Sequence, residues 1–108
     1  MFRNGETSMP EITIAFAGDV MFGNHPHLIG TGMINRLWAS NENPLEALKG
    51  VLSTVDIGIC NVEGVISPIT CRKGPSSGCM RGDPAGPRYI RCSGFSAINV
   101  ANNHAMEH

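Results

Sequence analysis

The residues able to do chemistry in this 108-residue chain fall in three short strings. Gly18-Asp19 is the first, Asn61-Val62-Glu63-Gly64 the second, and Asn102-Asn103-His104 the third. Together they supply two carboxylates, one imidazole and several amides. A mixed oxygen and nitrogen set of this kind suits Mn, Fe, Zn or Mg better than thiolate-selective metals. Carboxylates that bridge would extend it to two metals about 3.5–4 Å apart, an arrangement that activates water and clamps a phosphoryl group. Taken singly, each string also reads as turn chemistry, because Asp and Asn are common turn residues. What sets them apart is that all three close an apolar run.

Those runs are residues 12–17 (ITIAFA), 56–60 (DIGIC) and 96–101 (SAINVA). Near-continuous apolar character over such lengths predicts strands buried on both faces of a mostly parallel sheet. In open α/β sheets ligands bind in the crevice outside the carboxyl ends of the strands, where these strings would lie. Between the first two runs, Leu45, Leu48, Leu52 and Val55, with Val51 beside them, repeat at the steps of one helical face. Asn43 as N-cap, Pro44 at the first helical position and Glu46 three residues after the cap mark its start, and Gly50 weakens its middle. Residues 28–39 predict a loop leading into a short helix. From 67 to 87 the pairs Gly74-Pro75, Asp83-Pro84 and Gly86-Pro87 predict a long loop rich in turns. The order is therefore strand, helix, strand, long loop, strand, the β-α-β grammar of an α/β fold.

Composition excludes several classes. Eight Lys and Arg against nine Asp and Glu give a net charge of −1 with no basic stripe, so the electrostatic footprint of a nucleic-acid binder is missing. The N-terminal residues lack the apolar stretch of a signal peptide, and no apolar run approaches the roughly 20 residues of a membrane span. As written, the chain reads as cytoplasmic, with association at the cell envelope left open. Cys60, Cys71, Cys79 and Cys92 match no paired CxxC spacing. Cys71 and Cys79 flank a loop and could be bridged in an oxidising compartment, but free thiols are the expected state. Arg81-Gly82-Asp83 reads as a turn, not as an adhesion tripeptide. His25-Pro26-His27 reads as an exposed turn, Cys60 as strand core and Trp38 as packing.

The strings Gly18-Asp19-Val20-Met21-Phe22-Gly23, Asn61-Val62-Glu63-Gly64 and Ala101-Asn102-Asn103-His104-Ala105-Met106-Glu107 resemble the motifs of the CapA family. These are the bacterial capsule or poly-γ-glutamate synthesis proteins, which look like a branch of the calcineurin-like metallophosphoesterases. The motifs come in the family's order, at comparable distances, and the resemblance spans residues 12–107. It implies an α/β/β/α sandwich in which Asp19, Glu63 and Asn103 ligate a divalent metal, with Asn61 as an additional site residue. His104 would be the catalytic helper at the phosphate or leaving group. Glu63 stands where the phosphoesterases carry a bridging Asp, which counts against a binuclear site. The implied function is capsule or poly-γ-glutamate synthesis or export, with metal-dependent hydrolysis as its chemistry. An anionic polymer or phosphoester would be the substrate, and other capsule-synthesis proteins the partners. A non-catalytic polymer-binding or assembly component, or an inactive fragment, is the alternative. Family members are longer and supply further His ligands, so residues 1–108 would form the N-terminal part of a single domain and expose apolar sheet surface.

Overall fold

The computed structural model of the protein describes residues 9–23, 32–68 and 80–107. Strand β1 (Ile14–Val20) leads to helix α1 (Met33–Ser40), then to a 3₁₀ turn (Glu46–Leu48) that runs directly into helix α2 (Lys49–Leu52). Strands β2 (Ile57–Val62) and β3 (Val65–Ile66) follow, and then β4 (Arg81–Gly82), helix α3 (Gly86–Cys92) and β5 (Ala97–Asn99). The fold is α/β, and its strands pair in parallel, in the order β1-β2-β5 for the main sheet and β3-β4 for a small second one.

The central strand, β2, shows the alternation expected of a strand between two environments. Gly58, Cys60 and Val62 are buried, and Ile57, Ile59 and Asn61 are half-buried on the opposite face. The buried face packs with Val20, Phe22, Leu45, Leu52, Ile90 and Phe95 into one core, helped by partly buried Ala15, Val55 and Tyr89. Each of the large side chains taken fully out of water there stabilises the fold by about 1.5–3 kcal/mol. Phe22, with no exposed surface, stacks on Tyr89 with ring centroids 6.1 Å apart. Burial also pushes the Cys60 thiol above its ordinary pKa, because the thiolate would lose its hydration there, so Cys60 is inert core.

Strand β1 carries an irregularity that places the chemistry. Ala15 pairs with Gly58 and Phe16 with Ile59, whereas Asp19 pairs with Asn61 and Val20 with Val62. From Phe16 to Asp19 β1 advances by three residues while β2 advances by two, from Ile59 to Asn61, so β1 holds one extra residue as a bulge. A regular strand would send Phe16 and Asp19 to opposite faces. The bulge, at Ala17-Gly18, returns Asp19 to the face of Asn61 and leaves Val20 in the core.

Strands β1 and β2 run further toward their carboxyl ends than the apolar runs, and β5 is shorter than its run. Asp19 and Asn61 lie within β1 and β2 rather than beyond them, and β5 stops at Asn99. The helix predicted after Asn43 is only a 3₁₀ turn followed by one α-helical turn. Leu45, not Asn43, is the cap residue; Asn43 forms the turn before it, accepting the Leu45 N–H at 3.0 Å through its side chain and the Glu46 N–H at 3.1 Å through its carbonyl. Ser53 and Thr54 end it, since their hydroxyls donate to the carbonyls of Gly50 and Val51, both at 2.8 Å. Leu48 and Val51 are consequently exposed, and only Leu45 and Leu52 of the predicted stripe are fully buried. The surface around Ile14, Phe16 (76% exposed) and Val51 is apolar and open.

Helix α3 occupies a stretch whose Gly86-Pro87 pair reads as a turn. Pro87 suits its first turn, where a missing N–H costs nothing, and a Cβ on Gly86 would come within 2.7 Å of the Phe22 ring. Its buried end is tied to the α2 entry, for Ser93 Oγ donates to the Tyr89 carbonyl at 2.8 Å and accepts from Asn43 Nδ2 at 2.8 Å. Arg81-Gly82 forms β4 rather than a turn. The turn begins one residue later, where the Asp83 side chain accepts the Ala85 N–H at 2.7 Å. His25-Pro26-His27 and the Cys71 and Cys79 pair lie outside the described residues, and Cys60 and Cys92 are free thiols.

Candidate functional site

Parallel pairing sets three polar residues in one row. Asp19 of β1 is level with Asn61 of β2, and Asn61 is level with Asn99 of β5. Residues level with one another in a sheet share a face, so the three side chains stand side by side at the carboxyl ends of their strands. Asn61 is the hub. Its Nδ2 donates to Asp19 Oδ1 and to Glu63 Oε2, both at 2.7 Å, and its Oδ1 accepts from Asn99 Nδ2 at 2.8 Å and Asn102 Nδ2 at 3.2 Å. The amide thus points its hydrogens at two carboxylates and its oxygen at two donors, and these four partners fix its orientation.

Glu63 is held just beyond β2 by its own N–H, which donates to the Val20 carbonyl at 3.1 Å. Gly64 then turns the chain into β3 at φ +93°, a conformation that L side chains rarely adopt, and a Cβ there would sit 2.7 Å from the Met80 carbonyl oxygen. The Gly of Asn-Val-Glu-Gly is therefore a steric requirement for placing the Glu.

The third string is stitched onto β2 by Asn102. Its Nδ2 donates to the Val62 carbonyl at 2.8 Å, and its Oδ1 accepts the His104 N–H at 3.1 Å. Those bonds carry His104 back over Glu63. The ring places Nε2 3.4 Å from Glu63 Oε1 and Nδ1 2.7 Å from Glu107 Oε1, with the His104 and Glu63 side chains 19% and 15% exposed. Asp19 is more open to solvent.

Of the residues singled out from sequence, Asp19, Asn61, Glu63 and His104 are joined in one hydrogen-bonded constellation. Asn103 stands exposed in the turn beside it, and the amides in the network are those of Asn102 and Asn99. Asn99, Asn102 and Glu107 were not singled out as site residues. Asn99 was findable as the last polar residue of an apolar run, and Glu107 as a carboxylate three residues after a His.

An α/β protein whose parallel strands deliver carboxylate, amide and imidazole groups to one carboxyl-end cluster is the class that fold and site define. The chain belongs to the bacterial capsule synthesis proteins of the PGA_cap family, whose sequence model matches residues 13–108. A comparison with curated proteins returns no match. Among the described residues, no helix is long and apolar enough to cross a membrane.

The donor types fit a divalent cation, since two carboxylates converge on one point and an imidazole lies beside one of them, while the amide oxygens accept hydrogen bonds elsewhere. That point is taken by the Asn61 amide group, at 2.7 Å from each carboxylate. Among the described residues, no three His, Cys, Asp or Glu are grouped as ligands for one ion. A cation held between Asp19 and Glu63 would replace the amide hydrogens as the positive partner of both.

Proposed function

We propose that this chain carries part of a metal-dependent hydrolytic site of the metallophosphoesterase type, in an α/β/β/α framework, serving capsule polymer synthesis or export. The observation that supports this reading best is the convergence of Asp19 and Glu63 on the Asn61 hub at the carboxyl ends of parallel strands, with His104 beside Glu63. Asp19 and Glu63 would hold the cation in place of the Asn61 amide hydrogens that now lie between them. The chemistry a divalent cation would supply there is activation of water and stabilisation of negative charge on the scissile group. His104 holds and moves the proton at Nε2, beside Glu63, for the leaving group or the attacking water. Asn102 and Asn99 keep the hub oriented while this happens. An anionic polymer or a phosphoester is the substrate class that such a site takes.

A second reading is favoured by one observation: both carboxylates are already satisfied by the Asn61 amide. It makes the protein a non-catalytic component that binds or assembles the polymer. Hydrolysis of an aryl phosphate with Mn²⁺ present separates the two. The enzymatic reading expects turnover that falls about 100-fold or more in Asp19→Ala and in His104→Ala, the scale on which a positioned acid–base group acts. Absence of turnover in the wild type, together with retained binding of polyglutamate, sinks the enzymatic reading and supports the second.

A further inference from the structure

We infer that Glu107 is the positioning residue of His104, holding a hydrogen on Nδ1 and aiming Nε2 at the site as the working atom. The inference rests on the proposed role of His104 and adds a residue to it. Both oxygens of Glu107 are in use as acceptors. Oε1 lies 2.7 Å from His104 Nδ1, and Oε2 accepts the Met80 N–H at 2.7 Å. A carboxylate accepts and does not donate, so the hydrogen in the short contact belongs to Nδ1. In a neutral imidazole the other nitrogen is then bare. That nitrogen, Nε2, is the one that faces Glu63 Oε1, at 3.4 Å.

The surroundings lock the arrangement from three sides. Asn102 Oδ1 holds the His104 backbone at 3.1 Å, the Glu107 N–H donates to the His104 carbonyl at 3.4 Å, and the Met80 N–H anchors the far oxygen of Glu107. The carboxylate therefore has little freedom to swing off the ring, with its side chain 25% exposed. A carboxylate on one imidazole nitrogen is the usual device for setting the tautomer and the orientation of the ring. Glutamine cannot replace it. Its single oxygen can serve Met80 or His104 but not both, and an amide NH₂ turned to Nδ1 would demand the opposite tautomer.

The test is ¹⁵N NMR of the histidine side chains in the full chain at about pH 9, where ordinary imidazoles are neutral, with His104 assigned by the loss of its signals in His104→Gln. The wild type should show a protonated Nδ1 and a bare Nε2. Glu107→Ala and Glu107→Gln should each shift the ring toward protonation at Nε2, and any aryl phosphatase activity should fall in kcat with KM little changed. A wild-type ring protonated at Nε2, or a tautomer unmoved in a folded Glu107→Ala, overturns the inference. The wild-type spectrum decides even if a variant does not fold. It also separates the two claims: a ring protonated at Nδ1 in a protein without turnover keeps Glu107 in this role and removes the hydrolytic reading.

Discussion

Val20→Asp is expected to abolish folding, whereas Asp19→Val, one residue earlier, leaves the fold standing and empties the site. Val20 is 7% exposed and packs in the core level with Val62, while Asp19 projects from the other face beside Asn61. Replacing Val20 by Asp removes a buried side chain worth about 1.5–3 kcal/mol and forces a carboxylate to lose its hydration without a partner. Together these cost about 4 kcal/mol or more, a large share of the 5–15 kcal/mol that typically holds a domain together. Asp19→Val removes one hydrogen bond to Asn61 and should change stability by about 1 kcal/mol or less. Urea titration followed by circular dichroism distinguishes them. Equal sensitivity at the two positions would mean that the bulge of β1 does not set their faces as described.

Asn61→Asp is the second large effect. The substitution keeps shape and keeps the oxygen that accepts from Asn99 and Asn102, but it turns the shared donor to Asp19 and Glu63 into a third carboxylate. Two hydrogen bonds to charged groups are lost and like charges meet at contact distance, for a destabilisation of about 2–4 kcal/mol. A divalent cation restores what the amide hydrogens supplied, so millimolar Mn²⁺ or Mg²⁺ should raise the variant's melting temperature more than that of the wild type. A variant as stable as the wild type without added cation would show that Asn61 does not hold the carboxylates together.

Both predictions depend on a register that the sequence only partly discloses. The three apolar runs, each closed by a polar string, are enough to place Asp19, Asn61 and His104 near the carboxyl ends of neighbouring parallel strands. They are not enough to show on which face each residue stands. Phe16 and Asp19 are three apart, a spacing that a period of two assigns to opposite faces. The only local hint of the bulge is Gly18, since an isolated Gly inside a strand pattern often marks one. The two consecutive amides Asn102 and Asn103 are equivalent as sequence. What distinguishes them is tertiary, namely the reach of Asn102 to the Val62 carbonyl and to Asn61. Similarly, α3 is hidden behind Gly86-Pro87 because the Gly is there for the Phe22 ring and the Pro for the first helical turn. The short α2 reflects local competition by Ser53 and Thr54 for carbonyls that a longer helix would use.

The exposed apolar surface expected from the family resemblance is present, at Ile14, Phe16, Val51, Ile98 and Val100. Parallel sheets normally have both faces covered. Leu52 of α2 and Ile90 of α3 cover the Cys60 and Val62 face at β2, but Ile98, level with Cys60 on that face, is exposed at β5, and among the described residues Phe16 on the opposite face is exposed too.

The most direct test of the central claim, that strand register assembles Asp19, Glu63 and His104 into one cation-dependent site, is a calorimetric titration of the chain with Mn²⁺. Uptake of about one ion per chain is expected, weakened at least about tenfold in Asp19→Ala and in Glu63→Ala, as loss of a ligand from a mixed oxygen site requires. No uptake by the wild type, or uptake that both substitutions leave unchanged, would contradict it.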